Sequence, residues 1–436
     1  MLMLLGNCFA ANYAVGPSAT GNGSGSDYNN LLAWSSTLTR GNSYYLVDGT
    51  YAGKTFSTAV SGTTLITVKK ATDSDYGGLS NWSSGLGDGQ ASFTGGLVVQ
   101  SSYWVIDGAK GSMSKTASDY GFVTASSNGA LSAYNINAVI TDITFSHFTG
   151  TAPGGDVEKF FFSTDNSSEG VHYLTISHCL ANGWSNFQWG TAGYEAADNK
   201  NDYWLSEYNV ILNGYSSAAQ HGEEFNNNYG NCRWWTIRYN WIEGRDSGTG
   251  GIVALNAPSG PYYIYGNVFY DITVGDGIIA GVHYSLQAYI YNNAFISCNN
   301  RILGSDTGVT GEFRNNVCYN SNAGFQNSTP TNTHNGWWSC SNVTSGTSAY
   351  TGTGNPFVNI AAGDFSLTPA AVAAMDAGYT LSSPYTQDWA GTQRGADGEW
   401  DRGAIEYVDG EPTPTPVPAR SFGGTGTIFY GTGNYR

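Results

Sequence analysis

The chain has 436 residues, with 33 Asp and Glu against 17 Lys and Arg, and a formal net charge of −16. That acidity excludes nucleic acid as a partner, because phosphates call for a basic footprint. Only 11% of residues are charged and 14% are aromatic, with 59 Gly, which excludes both a disordered chain and a set of long solvated helices and leaves a turn-rich, all-β protein.

The first residues, Leu2–Leu5 followed by Cys8-Phe9-Ala10-Ala11, combine a short apolar run with small residues. Residues 1–12 therefore read as the remnant of a secretory leader, and the protein is expected outside the cell; a buried first strand or cap is the other reading. No later stretch is long and apolar enough to span a membrane.

From residue 13 onward an internal repeat decides the architecture. The early coils carry Phe145-Ser146-His147-Phe148 and Ile176-Ser177-His178-Cys179. An Asn then enters the same place, first in Tyr208-Asn209-Val210-Ile211 and then in Ile237-Arg238-Tyr239-Asn240-Trp241-Ile242. It returns in Ile264-Tyr265-Gly266-Asn267-Val268-Phe269, in Ile290-Tyr291-Asn292-Asn293-Ala294-Phe295 and in Phe313-Arg314-Asn315-Asn316-Val317-Cys318. The intervals from Phe148 through Cys179 to Asn316 are 31, 30, 31, 27, 26 and 23 residues. This is the length of one coil of a solenoid with three short strands, each coil about 4.8 Å above the last. The fold class is an all-β, right-handed parallel β-helix over residues 13–408, with a short N-terminal cap and a C-terminal closing segment. Leucine-rich repeats and propellers fit the spacing less well.

Asn209, Asn240, Asn267, Asn293 and Asn316 are read as an internal ladder. Each is expected to take the left-handed geometry of a tight bend and to pass amide hydrogen bonds between coils. The cysteines Cys8, Cys179, Cys232, Cys298, Cys318 and Cys340 contain no C-x-x-C pair, which argues against a zinc ribbon or thioredoxin-type site. With Cys8 in the leader, five remain. Cys298 and Cys318 fall on neighbouring coils, where they either pair or sit as buried thiols.

Ionisable and aromatic side chains concentrate between residues 185 and 306. Trp189 and Tyr194 come first, then His221, Glu223 and Glu224, then Arg245 and Asp246, then Asp276 and His283, then Arg301 and Asp306. Flat rings beside carboxylates suit a polysaccharide, and Trp189, Tyr194, Arg245 and Arg301 are the candidates for holding it. Glu223 and Asp246, one coil apart, would stand about 5 Å from each other if aligned, the separation of a retaining glycosidase pair. A uronate lyase would instead use His221 or His283 as base, with Arg245 or a cation neutralising the sugar carboxylate. Glu223, Asp246, Asp276, His221 and His283 are thus the catalytic candidates. Glu223 and Glu224, beside a run of three Asn, are candidate calcium ligands.

The repeat resembles the pectate-lyase-like superfamily of parallel β-helices. Asn355-Pro356-Phe357-Val358-Asn359, Gly363-Asp364-Phe365-Ser366-Leu367 and Met375-Asp376-Ala377-Gly378 look like the segment that closes many secreted β-helix proteins, and Asp401-Arg402-Gly403-Ala404-Ile405-Glu406-Tyr407 looks like its final strand. The coil His221-Gly222-Glu223-Glu224-Phe225-Asn226-Asn227-Asn228 is similar to the acidic coil of the alginate lyase and chondroitinase B family. Its lysine position holds an Asn here, and Gly251-Ile252-Val253-Ala254-Leu255-Asn256 brings no arginine, so that family's proton-transfer pair is missing. What the resemblance implies is a secreted polysaccharide-active protein, a lyase or glycoside hydrolase. The alternative is a non-catalytic adhesin, surface fibre or virion spike, without a convergent pair of titratable groups. Residues 409–421, Pro- and Thr-rich, read as an extended linker. The Gly/Thr/Tyr-rich tail 422–436 reads as a frayed end or a strand for a docking partner.

Overall fold

A computed structural model describes residues 10–124, 129–152, 159–163, 170–190, 201–214, 223–227, 232–244, 251–255, 261–273, 277–281, 285–304, 307–360 and 364–408. Residues 1–9 and 409–436, which hold most of the expected leader and the expected linker and tail, lie outside them. The chain winds as a right-handed parallel β-helix, the hand that parallel crossovers take. Three parallel sheets of fifteen, twelve and nine strands run along it. Sheet one holds, among others, Val171–Ser177, Leu205–Glu207, Thr236–Arg238, Tyr262–Tyr265, Leu286–Tyr291 and Val309–Arg314. Sheet two holds Leu180–Asn182, Val210–Leu212, Trp241–Glu243, Val268–Tyr270, Ala294–Ile296 and Val317–Tyr319. Sheet three holds Lys159–Ser163, Asn186–Gly190, Phe225–Asn227, Val253–Leu255, Ile279–Gly281 and Leu303–Gly304.

Alternation fills the interior. In sheet one Ile237, Ile264, Ile290 and Phe313 are in register in one inward column, and in sheet two Ile242, Phe269 and Phe295 form another, with the two Phe rings stacked 4.9 Å apart. One polar layer interrupts this core. Gln188 and Ser206 are both fully buried, the Ser206 hydroxyl donating to Gln188 Oε1 at 2.5 Å and accepting from Trp235 Nε1 at 2.9 Å.

The corner between sheets one and two carries the predicted ladder. Asn240 Oδ1 accepts from both the backbone N–H and the amide of Asn209 at 3.0 Å. Asn267 receives the same pair from Asn240, Asn293 from Asn267, and Asn316 from Asn293. Each Nδ2 also donates to a sheet-one carbonyl, as Asn267 does to Ile237 at 2.9 Å. The ladder runs one coil further than the repeat suggests: Asn335 Oδ1 accepts from the N–H and amide of Asn316. Cys179 occupies the place before Asn209 and donates its N–H to Asn209 Oδ1.

The bend itself differs from expectation. The left-handed residue is the one before each ladder Asn: Tyr208, Tyr239, Gly266, Asn292 and Asn315, with φ of 51–66°. The ladder side chain must point inward to meet its copies, so the sharp turn falls to its neighbour. That neighbour faces out, and His147, His178, Tyr208 and Tyr239 stack there with ring centroids 4.9–5.1 Å apart.

The closing segment also departs from expectation. The last strand of the stack is Tyr350–Gly352. Phe357–Asn359 and Asp364–Leu367 then pair antiparallel, and Asp401–Tyr407 forms no strand. The segment runs back along the outer face of sheet two, where Phe357, Phe365, Met375, Trp389 and Ile405 bury Trp241, Val268, Ala294 and Val317. Residues before Tyr120 cover the same face nearer the N-terminus, with Lys115 over the Trp241 ring and paired with Glu243. All five described cysteines are free thiols, Cys298 and Cys318 included, and all but the half-buried Cys340 are buried.

Candidate functional site

With sheet two covered, the sheet-three face and its flanks hold Trp189, Glu223, Glu224 and Arg301, the described residues among those singled out in the sequence. Phe225, Val253, Ile279 and Leu303 share one column. Trp189 stands in register with Phe162 and Asn226, in the next column. Two residues ahead of the first column the register lines up Lys159 and Asn186, and its continuation brings in Glu223, Gly251, Gly277 and Arg301. Backbone bonds from Phe225 to Ile252 and from Ile278 to Arg301 carry that alignment. Six positions make five coil spacings, about 24 Å. A Cβ on Gly251 would lie 2.4 Å from the Gly277 carbonyl, and one on Gly277 would lie 2.6 Å from Gly304 N, so this floor has to be glycine between the acid and the arginine.

The ends of the column are half-buried and its centre is enclosed. Glu223 and Glu224 are 2% and 0% exposed, where an open cleft is expected from the sequence. Glu223 accepts from the Asn226 amide at 2.7 Å, and its carbonyl accepts from the Asn186 amide at 2.6 Å. The Glu224 carbonyl holds the N–H groups of Phe187 and Gln188. Lys159 lies over the Phe162 ring, 5.2 Å from its centroid, and burial lowers its ammonium pKa. The Arg301 guanidinium donates to Gln326. Among the described residues no group of three His, Cys, Asp or Glu side chains is arranged to hold a metal. Tyr194, His221, Arg245, Asp246, Asp276, His283 and Asp306 lie outside the described residues.

The opposite flank of sheet three, where sheet one begins, carries a feature the sequence did not suggest. Tyr173, Tyr203 and Trp234 occupy the same bulge on three successive coils, each left-handed, with φ of 51–57°. Their rings stack at 4.8 and 4.7 Å, and Tyr173 is 53% and Tyr203 37% exposed. Arg233 lies over Trp234 and grips Asp202 with two bonds of 2.8 and 2.7 Å, while His172 stands 3.9 Å from the same carboxylate. A left-handed aromatic is against local propensity, so only the register of the stack could have revealed it.

A second titratable group sits at the ladder corner. His147 Nδ1 is 2.6 Å from Asp107, which also accepts from Ser146 and Ala109. Burial opposes ionisation of Asp107, but the hydrogen bond and charge of His147 outweigh it and hold the carboxyl well below the usual range. Burial, then the charge of His147, lowers His178 to about 3. Stacked between rings, these histidines read as parts of the turn column.

No family model matches the chain, and no curated protein does. Among solved structures, the crystal structure of pectate lyase Pel9A is similar over 92% of this chain and 98% of that one, at 15% identity and a TM-score of 0.48.

Proposed function

We propose that the protein engages an extracellular polysaccharide along sheet three and its flanks. The observation that supports this reading is the exposed Tyr173–Tyr203–Trp234 stack. Tyr and Trp offer apolar bodies with polar tips, which suits a ligand whose rings have apolar faces and hydroxyl rims. On the other flank the half-buried ends of the polar column, Lys159 and Arg301, stand about 24 Å apart, the reach of a polymer. Cleavage by hydrolysis or elimination needs a positioned acid or base; Glu223 is the described candidate, with Asp246, Asp276, His221 and His283 beside it in sequence. A calcium ion held by Glu223 and Glu224 would serve an acidic sugar.

The experiment is a panel of neutral and acidic polysaccharides scored for new reducing ends, for the ultraviolet absorbance of unsaturated products and for retardation on affinity gels. Cleavage abolished by Glu223→Gln or by the amide or alanine variants at the other four positions supports the enzyme. Retardation without cleavage, lost in Tyr173→Ala or Trp234→Ala, supports instead an adhesin, fibre or spike, a reading the stack favours because it needs no titratable pair. Neither cleavage nor retardation anywhere in the panel would sink both.

A further inference from the structure

The closing segment carries acids that no polysaccharide chemistry on sheet three would use. Asp388, Asp401 and Glu406 are all buried, and Asp376 is half-buried beside them. Of the two arginines there, one pairs with Glu406 and the other binds carbonyls. Arg394 binds Glu406 at 3.2 Å and the Gly403 carbonyl at 3.0 Å. Arg402 donates only to carbonyls: His334 and Ser348 of the last coils, Ala374 and Ala377 of the segment. Asp388 is satisfied by the backbone N–H groups of Thr392 and Glu406. Asp401 is different. One carboxylate oxygen takes the N–H of Tyr407, and Oδ1 is buried with no donor among the described residues. Backbone bonds from Arg402 to Met375 at 3.0 Å and from Gly378 to Trp400 at 2.7 Å bring Asp376 beside Asp401, and the two carboxyl groups interact. Two carboxyl groups in contact cannot both be ionised out of water.

We infer that Asp376 and Asp401 share one proton, and that this proton latches the closing segment onto the outer face of sheet two. The location gives the proton leverage. The Asp401 carbonyl accepts from Asn292, Gly403 N–H donates to the Asn315 carbonyl at 2.6 Å, and Arg402 lies between them in sequence. Charge placed on this tripeptide pushes at the point where the segment is fastened. The proton also has a way out. A cavity of about 780 Å³ between the last coils and the segment is lined by His334, Asp376, Glu399, Trp400 and Arg402, so water reaches Asp376.

Burial pushes the Asp401 carboxyl up to about 9, opposed by the Tyr407 N–H and reinforced by Glu406 and Asp376. The unfolded carboxyl ionises near 3.8. Between about pH 4 and about pH 9 the folded protein therefore keeps a proton that the released chain gives up, and the latch weakens as pH rises through that window. Glu406 and Asp388 are also raised by burial and act in the same direction. His334, across the cavity, is lowered by its own burial and then by Arg402 and Arg314.

The test is limited proteolysis of the full chain across that window, scored by cleavage between Gly352 and Tyr407 and normalised to an unstructured peptide. The wild type should be cut at least about tenfold faster at the alkaline end, while Asp401→Asn, which carries its own donor, should stay protected. Equal pH dependence in the wild type and Asp401→Asn, or none in the wild type, overturns the latch. If Asp401→Asn does not fold, infrared spectra of the wild type decide. A protonated carboxyl band near neutrality that disappears at alkaline pH supports the shared proton, and its absence at neutrality overturns it.

Discussion

Replacing Asn267 with Leu keeps the size of the side chain and removes every bond it makes, and the bonds can be counted. Asn267 Oδ1 accepts from the Asn240 N–H and the Asn240 amide; its own amide donates to Ile237 O, Asn293 Oδ1 and, at 3.2 Å, Tyr265 O. Asn240 Nδ2 keeps its bond to Ser206 O, and Asn293 Oδ1 keeps the backbone N–H of residue 267. Two buried donors of Asn240 lose their acceptor. At about 1–3 kcal/mol for each orphaned group, less what neighbours recover by relaxing, the loss is about 2–5 kcal/mol. The same reasoning gives a smaller number at the start of the ladder. Asn209 Oδ1 serves only the Cys179 N–H, so Asn209→Leu should cost about 1–3 kcal/mol. Urea unfolding followed by fluorescence, comparing midpoints at unchanged slope, measures both. Equal losses at the two positions, or a loss at Asn267 under about 0.5 kcal/mol, would refute the idea that the ladder acts through backbone donors.

Arg402→Met should lower stability by about 2–4 kcal/mol, since it strips one donor set from four carbonyls. It should speed proteolysis of the closing segment at every pH, in contrast to the pH-dependent latch. His178 contributes stability that is present above about pH 6.5 and lost as pH falls toward about 3, because burial keeps it neutral in the fold. His178→Tyr, continuing the column of Tyr208 and Tyr239, should flatten the fall in melting temperature between neutral and acid pH. Burial raises the Cys179 and Cys298 thiols to about 12, so a thiol reagent should titrate Cys340 in the native protein and Cys179, Cys232, Cys298 and Cys318 only after unfolding.

The ladder was legible because its corner has constant length. Two residues separate sheets one and two at 178–179, 208–209, 239–240, 266–267, 292–293 and 315–316, so the Asn recurs against a fixed frame. Asn335 escaped because it lies 19 residues after Asn316, shorter than any earlier interval, with polar Thr333 and His334 before it. The covering of sheet two was written in the sequence and not used. Trp241-Ile242, Val268-Phe269 and Ala294-Phe295-Ile296 are apolar at successive positions, the mark of a strand buried on both faces, and something had to lie over them. The final strand expected at Asp401–Tyr407 failed for the same reason. That stretch supplies Ala404 and Ile405 to the outer cover and buries Asp401, Arg402 and Glu406 in its own polar network. Lys159, in line with Glu223 and Arg301, could not be read at all, because the residues joining these positions vary too much for sequence spacing to give register.

That variation itself points to sheet three. The corner leading into it has three residues at 183–185, twelve at 213–224, nine at 244–252 and six at 297–302; the corner leaving it has ten at 191–200 and four at 282–285 and 305–308. A solenoid needs only one corner to be invariant to hold register, and here the ladder does that work with paired amides in the coils from Asn209 to Asn335. The other two corners are then free to change length without cost to the stack, and connecting segments positioned by a rigid scaffold are where binding and catalytic groups collect. Sheet two cannot serve, since its outer face is occupied by the protein's own closing segment. The exposed Tyr173–Tyr203 stack lies at one of the variable corners and the half-buried Lys159 and Arg301 at the other, so these corners, and not the buried centre of sheet three, are where a partner can meet side chains from several coils at once.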